Sequence, residues 1–280
     1  YQWAWDMALD SQDNVTIIGG NDSTVDFGGG PITSAGGDDG YIASFDTNGN
    51  HLWSRSIGST GYEFTSFVSV DGQDRVLVTG SFQNTIDFGG VVVSSLYGYD
   101  LFAAAYDPAG NALWVRQFDG MNAYLYTIAG DAAGNVVVGG ELYGTLDFGV
   151  GPVTTVGYSD VVAVKFDATG STLWSTTVAY PAESPTVEGI SLDAAGGITL
   201  AGSVSGGSPW NTDGLLVKLD ATGAVVFAKS FGGPDDDTLG SIAANASSVV
   251  LAGSFGTAID FGLGRRGSSS YSSSSSSRRR

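Results

Sequence analysis

Carboxylates are the abundant groups capable of chemistry in this chain of 280 residues: 29 Asp and Glu stand against 11 Lys and Arg, one His and no Cys. Asp38 and Asp39, and the run Asp235, Asp236 and Asp237, fall between apolar runs, where side-chain oxygens could gather on a calcium ion. Calcium is the one cofactor this pattern admits, and no other is expected. No EF-hand spacing accompanies the acids, since the position where a loop opening at Asp235 would place its Glu is Ala246. The competing reading is of solvated acidic loops that keep a Gly-rich surface in solution. Loop aromatics are the second set of candidates: Trp210, Tyr97, Tyr99, Tyr143 and Tyr158. Such rings stack on sugars or anchor a protein partner, or else cap the ends of the elements they join.

Nucleophilic catalysis finds little support. Cys is absent, and a Ser-based triad would have to recruit His51 from a turn just before Trp53. There is no Gly-x-Ser-x-Gly elbow and no phosphate-binding Gly-Lys-Ser/Thr loop. The triplet Asp-Phe-Gly occurs four times, beginning at Asp26, Asp87, Asp147 and Asp260. A kinase needs it once, beside a catalytic-loop Asp and a strand Lys that are missing here, so the triplet reads as a landmark whose Asp caps a turn while its Phe packs inward. Glycosidases work with two carboxylates, but no spacing singles out a pair.

The formal charge is −18, and five of the eleven cationic residues (Arg265, Arg266, Arg278, Arg279, Arg280) lie in the tail, so the body is more acidic than the whole. Such a surface repels phosphate backbones, and a nucleic-acid partner is not expected. No apolar run approaches the length of a membrane span. The chain opens at Tyr1, with its first Met at Met7, as expected of a processed or truncated product. Asn14, Asn21 and Asn245 fit the short glycosylation acceptor pattern, which arises easily by chance in an Asn- and Ser-bearing chain.

These residues must be positioned by elements rich in glycine, 43 in all, and therefore poor in helix. "MALDSQDNVTIIGG", "FVSVDGQDRVLVTG", "TIAGDAAGNVVVGG", "ISLDAAGGITLAG" and "IAANASSVVLAG" place turn residues Asp10, Asp71, Asp131, Asp193 and Asn245 at intervals of about 60, shorter at the last. A second module, "YIASFDTNGNHLW" and its relatives, carries Asp46, Asp107, Asp167 and Asp220, and closes on Trp53, Trp114, Trp174 and Phe227 at the same period. Each module is an apolar run, an Asp-x-x-Gly-Asn turn or similar, and another apolar run, which is a β-hairpin. Two hairpins give four short strands, many apolar on both sides and so covered on both faces.

The sequence therefore predicts an all-β fold, a β-propeller of four-stranded antiparallel blades, with four complete repeats and a partial fifth. The expected blades are 6–58, 62–118, 124–178, 187–231 and a partial 240–262. Together they form a repeat domain over 1–262, followed by a Ser/Arg low-complexity tail over 263–280.

The units "DFGGGPITSAGGDDGYIASFDTNGNHLWSRSIG" and "VSVDGQDRVLVTGSFQNTIDFGG" resemble the Gly-rich SBBP-type propeller repeats of secreted and cell-surface bacterial proteins. The resemblance spans roughly residues 6–262 and implies an extracellular or surface location and a binding or scaffolding role. It brings no catalytic or ligand-binding residues with it. The fifth repeat lacks its second hairpin, and exposing about 400 Å² of blade face would cost about 10 kcal/mol at about 25 cal/mol/Å². A truncated chain, or strands donated by a neighbouring subunit, would account for the gap.

Two functions follow as expectations. The first is a non-enzymatic extracellular scaffold, adhesin or fibre component, self-associating or contacting surface proteins and glycans through loop faces or edge strands. The alternative is a carbohydrate-binding or carbohydrate-active propeller that uses loop aromatics and carboxylates.

Overall fold

A computed structural model describes residues 1–95, 98–120, 122–180, 183–206, 211–244, 248–256, 258–259 and 266–267, and every regular element among them is a β-strand. The strand-forming signal is local. At Asp46, one carboxylate oxygen accepts the backbone N–H of Asn48 and of Asn50, each at 2.8 Å, and the other accepts the Asn50 amide at 2.8 Å. Gly49 then turns the chain with φ +78°, a conformation that suits a residue without Cβ. The carboxylate clamp recurs at Asp10, Asp71, Asp107, Asp131, Asp167, Asp193 and Asp220, so both main hairpins of each of the first four blades close on their own Asp.

Blade one contains β1 (Gln2–Leu9), β2 (Val15–Asn21), the short hairpin β3 (Thr24–Asp26) and β4 (Pro31–Thr33), then β5 (Asp39–Phe45) and β6 (His51–Ile57). Blade two repeats this with β7 (Phe64–Val70), β8 (Val76–Phe82), β9 (Thr85–Asp87), β10 (Val92–Ser94), β11 (Asp100–Tyr106) and β12 (Ala112–Asp119). Blade three has β13 (Ala123–Gly130), β14 (Val136–Leu142), β15 (Thr145–Asp147), β16 (Pro152–Thr154), β17 (Asp160–Phe166) and β18 (Thr172–Val178). Blade four, which lacks the short hairpin, has β19 (Glu183–Leu192), β20 (Ile198–Gly206), β21 (Asn211–Leu219) and β22 (Val225–Phe231). A fifth unit consists of β23 (Asp237–Ala244) and β24 (Val249–Phe255). The first four blades are antiparallel four-stranded meanders, and the fifth is a hairpin. The chain is thus all-β with a propeller architecture. Its opening strand Gln2–Leu9 pairs with Val15–Asn21 inside blade one.

The first strands β1, β7, β13, β19 and β23 pack in succession around a channel lined by Asp6, Val68, Ile128, Glu188 and Ile242. They form the axis, and β6, β12, β18 and β22 form the rim. In the middle of the sheet, β11, β14 and β17 are buried along their whole length, as strands covered on both faces must be. The Asp-Phe-Gly landmarks fill the wedge between blades. Asp26, Asp87 and Asp147 accept the N–H of Gly28, Gly89 and Gly149 at 2.8, 2.9 and 2.7 Å, while Phe88 and Phe148 are buried in the core. The fourth triplet lies outside the described residues.

One irregularity recurs on every axial strand. The register of the first strand against the second slips between Ala4 and Asp6, Thr65 and Phe67, Leu125 and Thr127, Val187 and Gly189, and Leu239 and Ser241. Trp5, Ser66, Tyr126, Glu188 and Gly240 are the bulged residues. A bulge leaves its residue out of the ladder and re-aims its side chain.

Candidate functional site: a tyrosine-lined cleft at the loop face

The two ends of the propeller differ. One carries the Asp-clamped turns. The other gathers the starts of the first and third strands, the ends of the second and fourth, and the longer connections between them. On this loop face, between blades two and three, a cavity of about 400 Å³ is lined by Phe64, Ser66, Tyr99, Leu101, Tyr124 and Tyr126.

Phe64 opens β7 and Tyr99 immediately precedes β11, and their rings lie 6.2 Å apart. Tyr124 and Tyr126 come from β13, where the bulge sets the two rings nearly parallel, at 10° and 5.7 Å between centroids. The aromatic surface then continues outward. Tyr124 meets Tyr143 edge to face at 5.8 Å, and Tyr143 meets Tyr158 in the same way at 5.5 Å. Tyr124 is 50% exposed and Tyr158 77%, so the strip faces solvent.

An acid underlies this strip. Glu141, 5% exposed, pairs across the hairpin with Tyr124 and accepts a hydrogen bond from the Tyr143 hydroxyl. Burial raises its carboxyl above the ordinary Glu value, against the opposing hydrogen bonds from Tyr143 and the Thr186 side chain of blade four. Burial also raises the Tyr143 phenol, with Glu141 adding to it, and pushes Tyr126 up to about 12, again with Glu141 contributing. The result is a hydroxyl-rich aromatic strip, with the Tyr126 and Tyr143 phenols raised, backed by a carboxyl with an elevated proton affinity. Such a set can stack on and hydrogen-bond a sugar, and can supply a proton.

Of the aromatic candidates read from sequence, Tyr99, Tyr143 and Tyr158 fall on this face, and Tyr143 and Tyr158 touch. Tyr97 and Trp210 lie outside the described residues. Phe64, Tyr124, Tyr126 and Glu141 were not singled out, although the repeat held a signal. Strand pairing aligns Trp3 with Gly20, Phe64 with Ser81, Tyr124 with Glu141, Thr186 with Ser203 and Thr238 with Ser254. Glu141 therefore stands where the other four repeats carry Gly or Ser.

The calcium candidates are not gathered into a site. Among the described residues no three potential ligands converge. Asp39 is fully buried and accepts the Ala35 N–H at 2.7 Å. Asp237 accepts the N–H groups of Gly233 and Gly256 at 2.7 and 3.0 Å, and Asp236 accepts that of Thr212 at 2.9 Å. Backbone donors already hold these carboxylates as loop clamps. Asp38 contributes its carbonyl to the Glu63 N–H at 2.8 Å, and Asp235 packs beside Gly256. His51 hydrogen-bonds Ser54 at 3.0 Å at the opposite end of the propeller, remote from the cleft.

No family model matches the chain. A stretch of 132 residues, 42% of the chain, is 32% identical to an uncharacterized WD repeat-containing protein of Acanthamoeba polyphaga mimivirus, of which it spans 10%. Among solved structures, the Penicillium chrysogenum alpha-L-arabinanase complexed with arabinobiose superposes with a TM-score of 0.53 over 93% of this chain and 78% of its own, at 10% identity. Synechocystis apocarotenoid oxygenase gives 0.48 over 92% and 56%, at 11% identity, too weak to bear on anything below. At such identity the arabinanase likeness speaks to the fold.

These comparisons nevertheless correct the expectation of a non-enzymatic scaffold, adhesin or fibre component. That expectation rested on a repeat architecture without a recognised catalytic motif. A solved structure sharing this architecture over nearly the whole chain is an enzyme, so the architecture gives no ground for a non-enzymatic reading.

Proposed function

We propose that the protein is a carbohydrate-active propeller that binds a glycan along the strip formed by Tyr126, Tyr124, Tyr143 and Tyr158, with the Glu141 carboxyl as its proton donor. The observation that carries this reading is the stacking of Tyr124 and Tyr126 beside the cavity with Glu141 buried beneath Tyr143. Sugar rings present C–H faces to aromatic side chains and hydroxyls to tyrosine oxygens, which suits an exposed but rigidly packed row of phenols. Hydrolysis adds water across a glycosidic bond: a carboxyl of raised pKa gives its proton to the departing oxygen, the anomeric carbon takes the water oxygen, and the proton shed by that water restores the carboxyl. The arabinanase likeness supports the fold as one that hosts such chemistry. A surface or extracellular setting, where polysaccharides are met, belongs to the same proposal.

The test is a panel of soluble polysaccharides and oligosaccharides, scored by affinity and by release of new ends. Binding that weakens in Tyr124→Ala, together with product formation lost in Glu141→Gln, is the expected result. A panel with neither binding nor product would reject the proposal.

A further inference from the structure

Resting on that reading of the cleft, we infer that the glycan it selects carries free amino groups, seated as ammonium ions against the faces of Tyr99, Tyr124 and Tyr126. The cleft is walled by four aromatic rings, whose faces attract a cation through their quadrupoles. Acids lie behind its walls, Glu63 next to Phe64 in the chain and Glu141 paired with Tyr124 across the hairpin. At the blade-two end, Glu63 is almost fully buried and is held by the Ser59 N–H at 2.7 Å and the Ser59 hydroxyl at 2.6 Å. Tyr99 registers that field: burial raises its phenol first, and Tyr62, Glu63 and Asp38 add to the effect. At the blade-three end, Glu141 acts in the same way on Tyr126.

No described Lys or Arg side chain offsets these acids in the cleft, because each is placed elsewhere. Arg55 donates to the Gly110 carbonyl and Arg116 to that of Gly170, both in turns at the far end of the propeller. Arg75 binds Asp71 and the Gly134 and Ala168 carbonyls there. Lys218 pairs with Asp193 at 2.8 Å in that same region. Lys165 is buried near the turn end of β17, and Lys229 lies over the Phe227 ring on the rim of blade four. A uronate or sulfate would therefore find acids behind both walls and no cationic partner, in a partly desolvated setting where charge interactions are strong. An ammonium gains from the ring faces, and gains more where Glu141 is ionised. A neutral hydroxyl would gain neither charge contribution.

The deciding measurement is titration calorimetry of the full chain with four oligosaccharides of matched length and linkage, built from glucosamine, N-acetylglucosamine, glucose and glucuronate. The free-amine oligomer is expected to bind on the order of tenfold more tightly than its acetylated and neutral counterparts, in line with a desolvated cation–π contact. The glucuronate oligomer is expected not to bind. The amine preference should grow as Glu141 ionises with rising pH, Glu141→Gln should remove that growth, and added salt should narrow the preference. Equal affinity for the amine and N-acetyl forms, or binding of the glucuronate oligomer, would overturn the inference while leaving the cleft as a glycan site. If none of the four binds and the wider polysaccharide panel is also negative, the glycan reading itself falls, and this inference with it.

Discussion

The indole of Trp114, on the rim strand of blade two, lies directly on Gly170 in the turn of blade three. A Cβ built on that glycine would come within 2.6 Å of the ring. Gly223 has the same relationship to Trp174, at 2.9 Å, and the ring of Trp53 covers Gly110. Blades one, two and three thus each rest a tryptophan on the turn of the next. Gly49 occupies the equivalent turn of blade one with a matching φ of +78°, and nothing lies within 4 Å of its would-be Cβ.

That contrast yields a paired prediction. Gly49→Ala should cost about 1 kcal/mol, the price of a side chain in the left-handed region alone. Gly170→Ala should cost roughly 2–4 kcal/mol, because overpacking against Trp114 adds to the same strain. Denaturant unfolding of both variants measures the difference. Equal losses would show that the tryptophan gives way without cost.

Arg75 offers a second measurement. Its guanidinium forms a buried ion pair with Asp71 at 2.6 Å and reaches the Gly134 and Ala168 carbonyls in the two turns of blade three. Arg75→Ala leaves a buried carboxylate without its partner and should destabilise the fold by about 3–5 kcal/mol. Arg75→Met, which keeps much of the volume, should be little better if the charge pairing dominates. Thermal melts of the two variants decide.

Glu141 predicts a pH effect of definite sign. Its carboxyl is raised in the folded state, chiefly by burial, so ionising it opposes folding. Stability should therefore rise as pH falls from above the raised value toward the ordinary Glu value. Glu141→Gln should be more stable than wild type at neutral pH and should lose that slope. Asp46 has the opposite sign, because the Asn50 side chain and then its backbone N–H lower it. The stability it contributes is present above the unfolded Asp value and is lost as pH falls through the lower folded one. Chemical denaturation across the acidic range separates the two. An identical pH slope in wild type and Glu141→Gln would count against the first assignment.

For binding, Tyr124→Ala should lower glycan affinity by about 1–3 kcal/mol, a loss of roughly five- to 150-fold, with little change in melting temperature because the ring is half exposed. A large fall in melting temperature would instead mark Tyr124 as a structural residue.

The architecture was legible because its determinants are local and repeated. The Asp46 and Asp107 clamps and the positive-φ glycines each fix a hairpin from within a few residues, and the shared period of these turns and of the closing tryptophans marks out the blades. The site was less legible. Tyr99, Tyr143 and Tyr158 stood out as loop aromatics, but Tyr124 and Tyr126 sit inside a strand and read as core. They reach the cleft because the bulge after Leu125 turns Tyr126 out of the ladder, and a bulge leaves almost no mark in an apolar run. Glu141 reads as one acid among 29 until strand pairing sets it against Gly20, Ser81, Ser203 and Ser254. The acidic loops were legible only as charge, because the backbone donors that reach Asp39 and Asp237 arise from the fold and sequence alone counts the carboxylates.

The slipped residue on each axial strand separates two demands that usually compete. Trp5, Ser66, Tyr126, Glu188 and Gly240 take no part in cross-strand pairing, so their identities can change without shifting any partner in the sheet. Indole, hydroxyl, phenol, carboxylate and bare backbone already occupy five equivalent places around one centre. The frame is thereby a holder with interchangeable heads, in which what is recognised can be rewritten while the means of folding stay as they are.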